Sequence, residues 1–337
     1  MLKNILLIMC ELLISIPLFS QRQVRLEVKS TDAGHLKELI TQQGYALSEV
    51  DRLTIEGLIN TQDIRTIVVE MEQLKELDLE NTTIVAGQFK YYPNSERVLT
   101  SSDNILSFGL YMWETIFTSD PVVPKKLETI VLPQKLHELG DGIFSGYKER
   151  YTLLTGEIRL PRTIKRIGRE VFAQTGISYA VPLPETLEHI GSANILAEGT
   201  LQLPPDLSFL DVTQFHCPNT TAFAISEENP YYTVVDGVLF NKDKTELLLY
   251  PKGREGNYVL PPYVKKIGSW AFKDSDKLTE VELTEGLEEM AYPAFVACKK
   301  LRKVRLNGNQ QVKEALEKEM YLVYRNRDRH HKVRISR

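Results

Sequence analysis

Apolar residues recur along the chain in a pattern that repeats about every 23 residues. A Leu that ends an alternating apolar stretch, followed by Pro or once by Thr, occurs at Leu132, Leu160, Leu183, Leu203, Leu260 and Leu283. The intervals are 28, 23, 20, 57 and 23 residues, and the longest divides at Ile225, where "TAFAI" fits the same stretch. Earlier, "VDRLTI" and "LKELDL" carry a related apolar spacing. A fixed period of this length predicts a solenoid, in which each turn packs against its neighbours.

Each unit begins with a short stretch that alternates between apolar and polar residues. In "LTEVEL", Leu278, Val281 and Leu283 fall on one face of a strand, and Glu280 and Glu282 fall on the other. Pro after the strand cannot donate a backbone hydrogen bond, so strand pairing ends and the chain turns there. Two further apolar positions follow, three residues apart, and predict a second inward-facing wall.

Glycine and phenylalanine close each unit. The glycines predict tight corners with positive φ, and they are Gly140, Gly168, Gly191 and Gly268. The phenylalanines predict one ladder of rings stacked through the core, and they are Phe144, Phe172, Phe215, Phe272 and Phe295. Two units depart from the pattern, because Ile195 stands in a Phe place and Asp211 stands in a Gly place.

Two segments interrupt or end the repeat. Asp236 and Gly237 lie between "YYTVV" and "VLF", which is a strong β-hairpin signal. Near the C-terminus, apolar residues share one face of a predicted helix, and "KVRIS" predicts a last strand. The helical positions are Val312, Leu316, Met320 and Val323. We expect the hairpin to leave the solenoid and the helix to cover its last turn.

The unit "LPxxVxxIGxxAFxxCxxLxxVxL", from Leu260 to Leu283 with Asp276 in the Cys place, resembles the BspA-type leucine-rich repeat of bacterial surface proteins. Cys298 in "AFVACKKLRKVRL" occupies the Cys place, which implies a buried thiol. The resemblance extends to the hairpin insertion and to an N-terminal cap. It implies an α+β repeat fold: a right-handed leucine-rich-repeat solenoid of ~23-residue units with short parallel strands, a β-hairpin insertion and a C-terminal helical cap.

The chain divides into four predicted segments. Residues 1–20 have the order of a secretory signal peptide, with Lys3, an apolar run and Ser20 before Gln21. Residues 21–120 form an N-terminal cap with irregular repeats, and residues 121–308 form the regular repeats, with the insertion at about 226–254. Residues 309–337 form a basic C-terminal cap. We therefore expect export to the cell surface, the periplasm or the extracellular space, and no later run approaches the ~20 apolar residues that span a bilayer.

The sequence offers little chemistry for catalysis. Cys217 and Cys298, the cysteines outside the predicted signal peptide, lie far apart and have no Cys or His at metal-binding spacing. The six histidines form no recognisable cluster with Ser and an acid, and "NKDKT" lacks the later glycine and acid of a calcium loop. We predict no enzymatic activity, no cofactor and no metal.

Two surfaces are candidates for binding. The residues predicted to point outward from the central strands are small and almost uncharged, and we call them the central strip. The strip consists of Thr200, Gln202, Ala222, Ala224, Asn257 and Val259, together with Ala180 and Pro182 of the preceding unit. It predicts either a partner surface or a surface covered by the insertion. From Lys299 to Arg337 the chain contains thirteen Lys or Arg and four Asp or Glu, which gives this segment a net charge of +9. This basic end predicts either an anionic polymer as partner or simply a polar cap, and its candidate residues are Lys303, Arg305, Arg325, Arg327 and Arg329.

These features favour an exported, non-enzymatic binding protein whose solenoid surface recognises a protein or a polysaccharide. The family resemblance implies adhesion or contact with other cells. A structural or assembly component of the cell envelope is the alternative, and an enzyme is the third hypothesis.

Overall fold

The computed structural model describes residues 23–90, 98–100, 102–106, 126–144, 153–173, 175–307, 310–325 and 333–336. The predicted signal peptide, residues 1–20, lies outside the described residues. Through the described part the chain winds as a solenoid, and each unit contributes short strands to parallel rows. The predicted class of fold is confirmed.

The first row is built from the alternating stretch that opens each unit. Its strands are β1 (Val24–Ser30), β2 (Val50–Ile59), β3 (Glu76–Asp78), β8 (Thr129–Val131), β10 (Thr155–Ile158), β12 (Gly176–Tyr179), β15 (Gly199–Gln202), β18 (Thr220–Ala224), β22 (Gly256–Val259), β24 (Leu278–Leu283), β26 (Lys303–Leu306) and β27 (Arg334–Ser336). They pair as β1–β2–β3–β8, β10–β12, β15–β18 and β22–β24–β26–β27, all parallel, and β4 (Thr82–Ile84) also pairs with β2.

The second row follows the proline turn. Its strands are β7 (Ile105–Leu106), β9 (Glu138–Leu139), β11 (Arg166–Ile167), β13 (His189–Ile190), β16 (Phe209–Leu210), β21 (Glu246–Leu249), β23 (Lys266–Ile267) and β25 (Glu289–Met290). Leu139, Ile167 and Ile190 stand in register and are fully buried. A third, shorter row contains β14 (Ala193–Asn194) and β17 (Phe215–His216).

Helices occupy the two ends of the described chain. They are α1 (Leu36–Gln42), the 3-10 turn η1 (Leu47–Glu49), α2 (Thr61–Glu70) and α3 (Gln310–Arg325). Val312 and Leu316 of α3 are buried, as the apolar spacing predicts. Strands β5 (Gln88–Lys90) and β6 (Val98–Thr100) form an antiparallel pair.

The corner glycines were predicted to have positive φ, and this prediction is wrong. None of Gly140, Gly168, Gly191 and Gly268 is among the residues with positive φ. Gly168 and Gly191 are instead required because the backbones of successive turns stack closely at these two corners. A Cβ atom on Gly191 would lie 2.6 Å from the carbonyl carbon of Gly168, which no side chain tolerates.

The predicted single phenylalanine ladder is also wrong, because the described rings form separate stacks. Phe144 stacks on Phe172 with a centroid distance of 5.4 Å. Phe272 stacks on Phe295 at 4.6 Å, and Tyr250 takes the place before Phe272 at 5.2 Å. The break falls where Ile195 replaces Phe. The buried apolar residues form two packed clusters, which divide at the insertion and not at Ile195: an N-terminal core that reaches from β1 to the insertion, and a C-terminal core that runs from the insertion to α3.

The insertion is a three-stranded antiparallel element that returns to the solenoid. Strand β19 (Tyr232–Val235) pairs with β20 (Val238–Asn241), and β20 pairs with β21. Asp236 and Gly237 have φ of 47° and 73°, which is the left-handed geometry that a two-residue hairpin turn requires. The predicted hairpin is confirmed. Its last strand, β21, is itself a second-row strand, because it pairs in parallel with β23.

Buried polar side chains form hydrogen bonds with backbone groups that have no strand or helix partner at the ends of the rows and helices. The carboxylate of Asp63 accepts from the backbone N–H groups of Gly34, Leu36 and Asn60, which joins the starts of α1 and α2. At the end of the third row, Lys252 Nζ donates to the Phe215 carbonyl at 2.9 Å. These contacts supply the partners that a further strand or helical turn would provide.

A buried carboxylate that accepts backbone hydrogen bonds also holds the C-terminal helix against the last turn. In preceding turns the N–H of the corner aromatic donates to a carbonyl of the next turn, as in Phe272 N to Ala294 O at 2.9 Å. After Phe295 the next turn is α3, and Glu319 Oε1 accepts from the N–H groups of both Ala294 and Phe295. Burial raises the pKa of Glu319 to about 7, although both backbone donors favour the charged form.

Candidate functional site

The structure brings together four residues of the central strip. Strands β15 and β18 lie side by side, so Thr200 is the neighbour of Ala222 and Gln202 is the neighbour of Ala224. Thr200 and Gln202 are exposed, whereas both alanines are half-buried. These four side chains form an uncharged surface on the outward face of the first row.

The structure does not continue this surface directly to β22. Asn257 and Val259 are exposed, but their strand pairs with β24 and not with β18. The Asp236–Gly237 turn of the insertion lies against the free edge of β18, because Phe223 N donates to Gly237 O at 2.8 Å. A Cβ atom on Gly237 would lie 2.7 Å from Cβ of Ala222. The insertion therefore touches Ala222 and separates the strip into two parts.

Of the two strip positions predicted in the preceding unit, Pro182 is exposed as predicted, whereas the prediction for Ala180 is wrong because this residue is buried. Strand β12 ends at Tyr179, so the alternation of inward and outward residues does not reach Pro182. Ala180 is buried and Val181 is exposed, the reverse of the expected pattern. Val131, Val181 and Val259 are exposed apolar residues in or next to first-row strands.

Charged residues border the strip on the C-terminal side. Asn257 and Val259 stand in register with Glu280 and Glu282, and Glu280 and Glu282 with Lys303 and Arg305. The Arg305 guanidinium lies 3.7 Å from Glu280 and 3.6 Å from Glu282. The positive charge of Arg305 is therefore largely countered within the sheet.

The structure describes three of the five candidate residues of the basic end, Lys303, Arg305 and Arg325. Lys303 is half-buried on β26 and stands beside Arg334 of β27. Arg325 ends α3, while Arg327 and Arg329 lie outside the described residues. Binding of an anionic polymer at this end therefore stays a prediction.

Replacing Arg325, Arg327 and Arg329 together by Ser is expected to lower the salt concentration at which the protein elutes from a heparin resin. The reason is that each removed positive charge weakens a screened attraction to the polyanion. A matched control removes three exposed positive charges elsewhere, with Ser at Arg162, Lys165 and Arg169. Equal elution of both triple variants would identify the basic end as a polar cap without a polyanion site.

Sequence reasoning missed a cavity of about 220 Å³ between β12, β14 and β17. Phe172, Tyr179 and Asn194 line it, together with Gln214 and His216 at its more exposed side. The one signal in the sequence was Ile195 in the Phe place. The polar atoms around the cavity come from three different units, which no local motif reveals.

The described residues hold no group of three or more His, Cys, Asp or Glu side chains arranged to bind a metal ion. Cys217 is buried, and burial raises the pKa of its thiol to about 11, so the thiol remains protonated at neutral pH. Cys298 is buried as its place in the repeat implied, with Sγ 2.9 Å from the Phe272 carbonyl oxygen. Among the described residues, every helix is too short or too polar to cross a bilayer.

The repeat geometry agrees with a comparison against protein families. The model of the BspA-type leucine-rich repeat region matches six copies in this chain, over residues 123–230 and 256–321. The matched residues amount to just over half of the chain, and the gap between them contains the insertion. The chain belongs to the BspA-type leucine-rich repeat family.

Solved structures of leucine-rich repeat proteins are similar to this chain at low identity. The pneumococcal vaccine antigen PcpA is 22% identical with a TM-score of 0.43, over 70% of this chain and 61% of that chain. A protein from Eubacterium ventriosum is 13% identical with a TM-score of 0.38, over 78% and 62% of the two chains. A protein from Bacteroides ovatus is 16% identical with a TM-score of 0.32, over 77% and 57%. This chain thus spans about three fifths of the length of each, and no curated protein matches it.

Proposed function

We propose that this protein is an exported, non-enzymatic binding protein that presents the first row of its solenoid to a protein or a polysaccharide. The observation that carries the proposal is the uncharged surface formed by β15 and β18. Elsewhere in the row, outward residues form ion pairs, such as Arg52 with Glu76 and Arg305 with Glu282. A surface without charges costs little to desolvate when a partner covers it.

The insertion also supports this location. Its turn is fixed beside Ala222, because Arg254 contacts both the backbone oxygen and the carboxylate of Asp236. The turn therefore forms one wall beside the strip while Thr200 and Gln202 stay exposed. A flat strip with a fixed raised edge is a more selective surface than a flat sheet, because a partner must match both.

The double variant Gln202→Arg with Ala224→Arg is expected to weaken partner capture at least about tenfold, or about 1.4 kcal/mol. The two residues are neighbours in register, so the variant places two charges at one point of the strip. Capture is measured with the chain from residue 21 onward on glycan arrays and on extracts of bacterial surfaces. Circular dichroism and melting temperature should remain close to those of the wild type.

A matched control is the double variant Glu27→Arg with Thr54→Arg. These residues are also neighbours in register on parallel first-row strands, far along the row from the strip. The control should bind as the wild type does. If the strip variant folds and binds equally well, the binding surface lies elsewhere; if the strip variant unfolds, the strip is internal packing.

A further inference from the structure

The first row begins at β1, whose outer edge has no strand partner among the described residues. On its inner side β1 pairs in parallel with β2, with Leu26 opposite Leu53. Leu26 and Val28 are buried, so the apolar core is closed at this end of the solenoid. What stays open at this end is the backbone edge of β1, a strand of seven residues.

The strand register identifies the backbone groups that lie on this open edge. On β2, Asp51 O accepts from the N–H of Lys75, the residue before β3, so odd-numbered residues of β2 turn their backbone groups toward β3. Even-numbered residues of β2 therefore bond to β1. In a parallel ladder, the residue directly opposite a bonded residue points its own N–H and C=O groups the other way. Arg25, Glu27 and Lys29 lie opposite even-numbered residues of β2, so their backbone groups face the open edge.

The side chains of these three residues are exposed and charged. Lys29 Nζ lies 3.3 Å from a carboxylate oxygen of Glu56 on β2. Arg25 and Glu27, in contrast, form no ion pair with any of the described residues. Their opposite charges stand two residues apart on the same face of one strand, so they are complementary to the same two charges on an antiparallel copy of β1.

We propose that two copies of this chain form a symmetric dimer by pairing their β1 strands antiparallel, with Leu26 of one copy opposite Leu26 of the other. A two-fold axis brings the same edge from both copies together, so the assembly closes at two chains. In this register Arg25 of each copy lies opposite Glu27 of the other. The backbone groups of both residues face the partner strand, as a hydrogen-bonded antiparallel pair requires. The two first rows then form one continuous sheet.

The neighbouring antiparallel registers leave charges unmatched. With Glu27 at the centre, the two Glu27 carboxylates face each other, which destabilises the pair. With Val28 at the centre, Glu27 lies opposite Lys29, which already has Glu56 as its partner, and Arg25 remains without an opposite charge. Charge complementarity therefore selects the proposed register.

The test measures self-association of the chain from residue 21 onward by sedimentation velocity, from micromolar to millimolar concentration. One pair of strands buries a small area, so we expect a weak, reversible equilibrium between monomer and dimer. Hydrogen exchange of the Arg25 and Glu27 amides should slow as the dimer forms, because these N–H groups gain acceptors. A chain that stays monomeric at the highest concentration, or that forms species larger than a dimer, would overturn the inference.

Arg25→Glu and Glu27→Arg should each weaken the dimer at least about tenfold, because each substitution places like charges opposite each other at two points of the interface. An equimolar mixture of the two variants should associate as the wild type does, since every repelling pair then becomes a pair of opposite charges. The combined variant Arg25→Glu with Glu27→Arg should dimerise for the same reason. Failure of the mixture to associate would contradict the register.

Arg162→Glu is the matched control, because Arg162 is exposed, forms no ion pair with the described residues and gives the same change in net charge. This variant should dimerise as the wild type does, and weakening equal to that of Arg25→Glu would overturn the assignment to β1. The inference is separate from the proposed function, because each chain carries its own strip. Glu27→Arg with Thr54→Arg should therefore be monomeric and still capture the partner, whereas Gln202→Arg with Ala224→Arg should dimerise without capturing it.

Discussion

Replacing Phe272 by Ala is expected to lower the free energy of unfolding by about 3–5 kcal/mol. Phe272 is fully buried and lies between Tyr250, at 5.2 Å, and Phe295, at 4.6 Å. Removing its ring leaves a cavity between the rings of Tyr250 and Phe295. The stacked turns of the solenoid hold these two rings in place, so we expect them not to move together and fill the cavity. Urea denaturation followed by circular dichroism measures the loss.

Two comparisons show whether the loss comes from the stack. Phe172→Ala should cost less, because Phe172 is half-buried and already borders an open cavity. Lys277→Ala should cost close to nothing, because Lys277 is exposed and makes only a surface ion pair with Glu255. A loss at Lys277 equal to that at Phe272 would contradict the register of the repeat.

The attachment of α3 is expected to weaken as pH rises from about 4.5 to 8. The folded-state pKa of Glu319 is about 7, above its ordinary value of 4.5, so the folded protein binds this proton more tightly than the unfolded chain does. The stability from the protonated form is fully present below pH 4.5 and is lost as pH rises through 7. The loss is on the order of 3 kcal/mol, since one pKa unit corresponds to about 1.4 kcal/mol.

Glu319→Gln isolates this effect, because Gln keeps the oxygen that accepts from Ala294 and Phe295 but cannot ionise. The measurement is the difference in unfolding free energy between wild type and variant at pH 4.5, 6 and 8, with exchange of the Phe295 amide as a local readout. As pH rises, the free energy of unfolding of the variant should increase relative to that of the wild type. A difference that does not change with pH would show that Glu319 is not the titrating group.

The repeat was predictable because it depends on local pattern. Inward residues such as Leu278 and Val281 recur with the strand period, and the Asp236–Gly237 turn needs only two adjacent residues. The corner glycines were located correctly but for the wrong reason. A glycine that is needed for positive φ cannot be distinguished in the sequence from a glycine that is needed for a close backbone approach. Both requirements select the residue without a Cβ atom.

The polar contacts between turns were not predictable in the same way. Asp63 and Glu319 look like ordinary surface acids of amphipathic helices, yet each accepts buried backbone N–H groups from a distant segment. The cavity was invisible for a related reason. Ile195 marked a departure from the repeat, but the space beside Phe172 depends on how three units pack together.

The insertion shares its apolar side chains between the two halves of the solenoid. Leu239 and Leu249 pack in the N-terminal core, whereas Val238, Phe240 and Leu247 pack in the C-terminal core. Repeats that contact only their neighbours can melt one after another along the array. Here, if either half unfolded alone, the apolar side chains of β20 and β21 that pack against that half would become exposed to water. This exposure would raise the free energy of any species in which only one half is folded. We therefore expect the insertion to couple the unfolding of the two halves, so that they melt in a single transition.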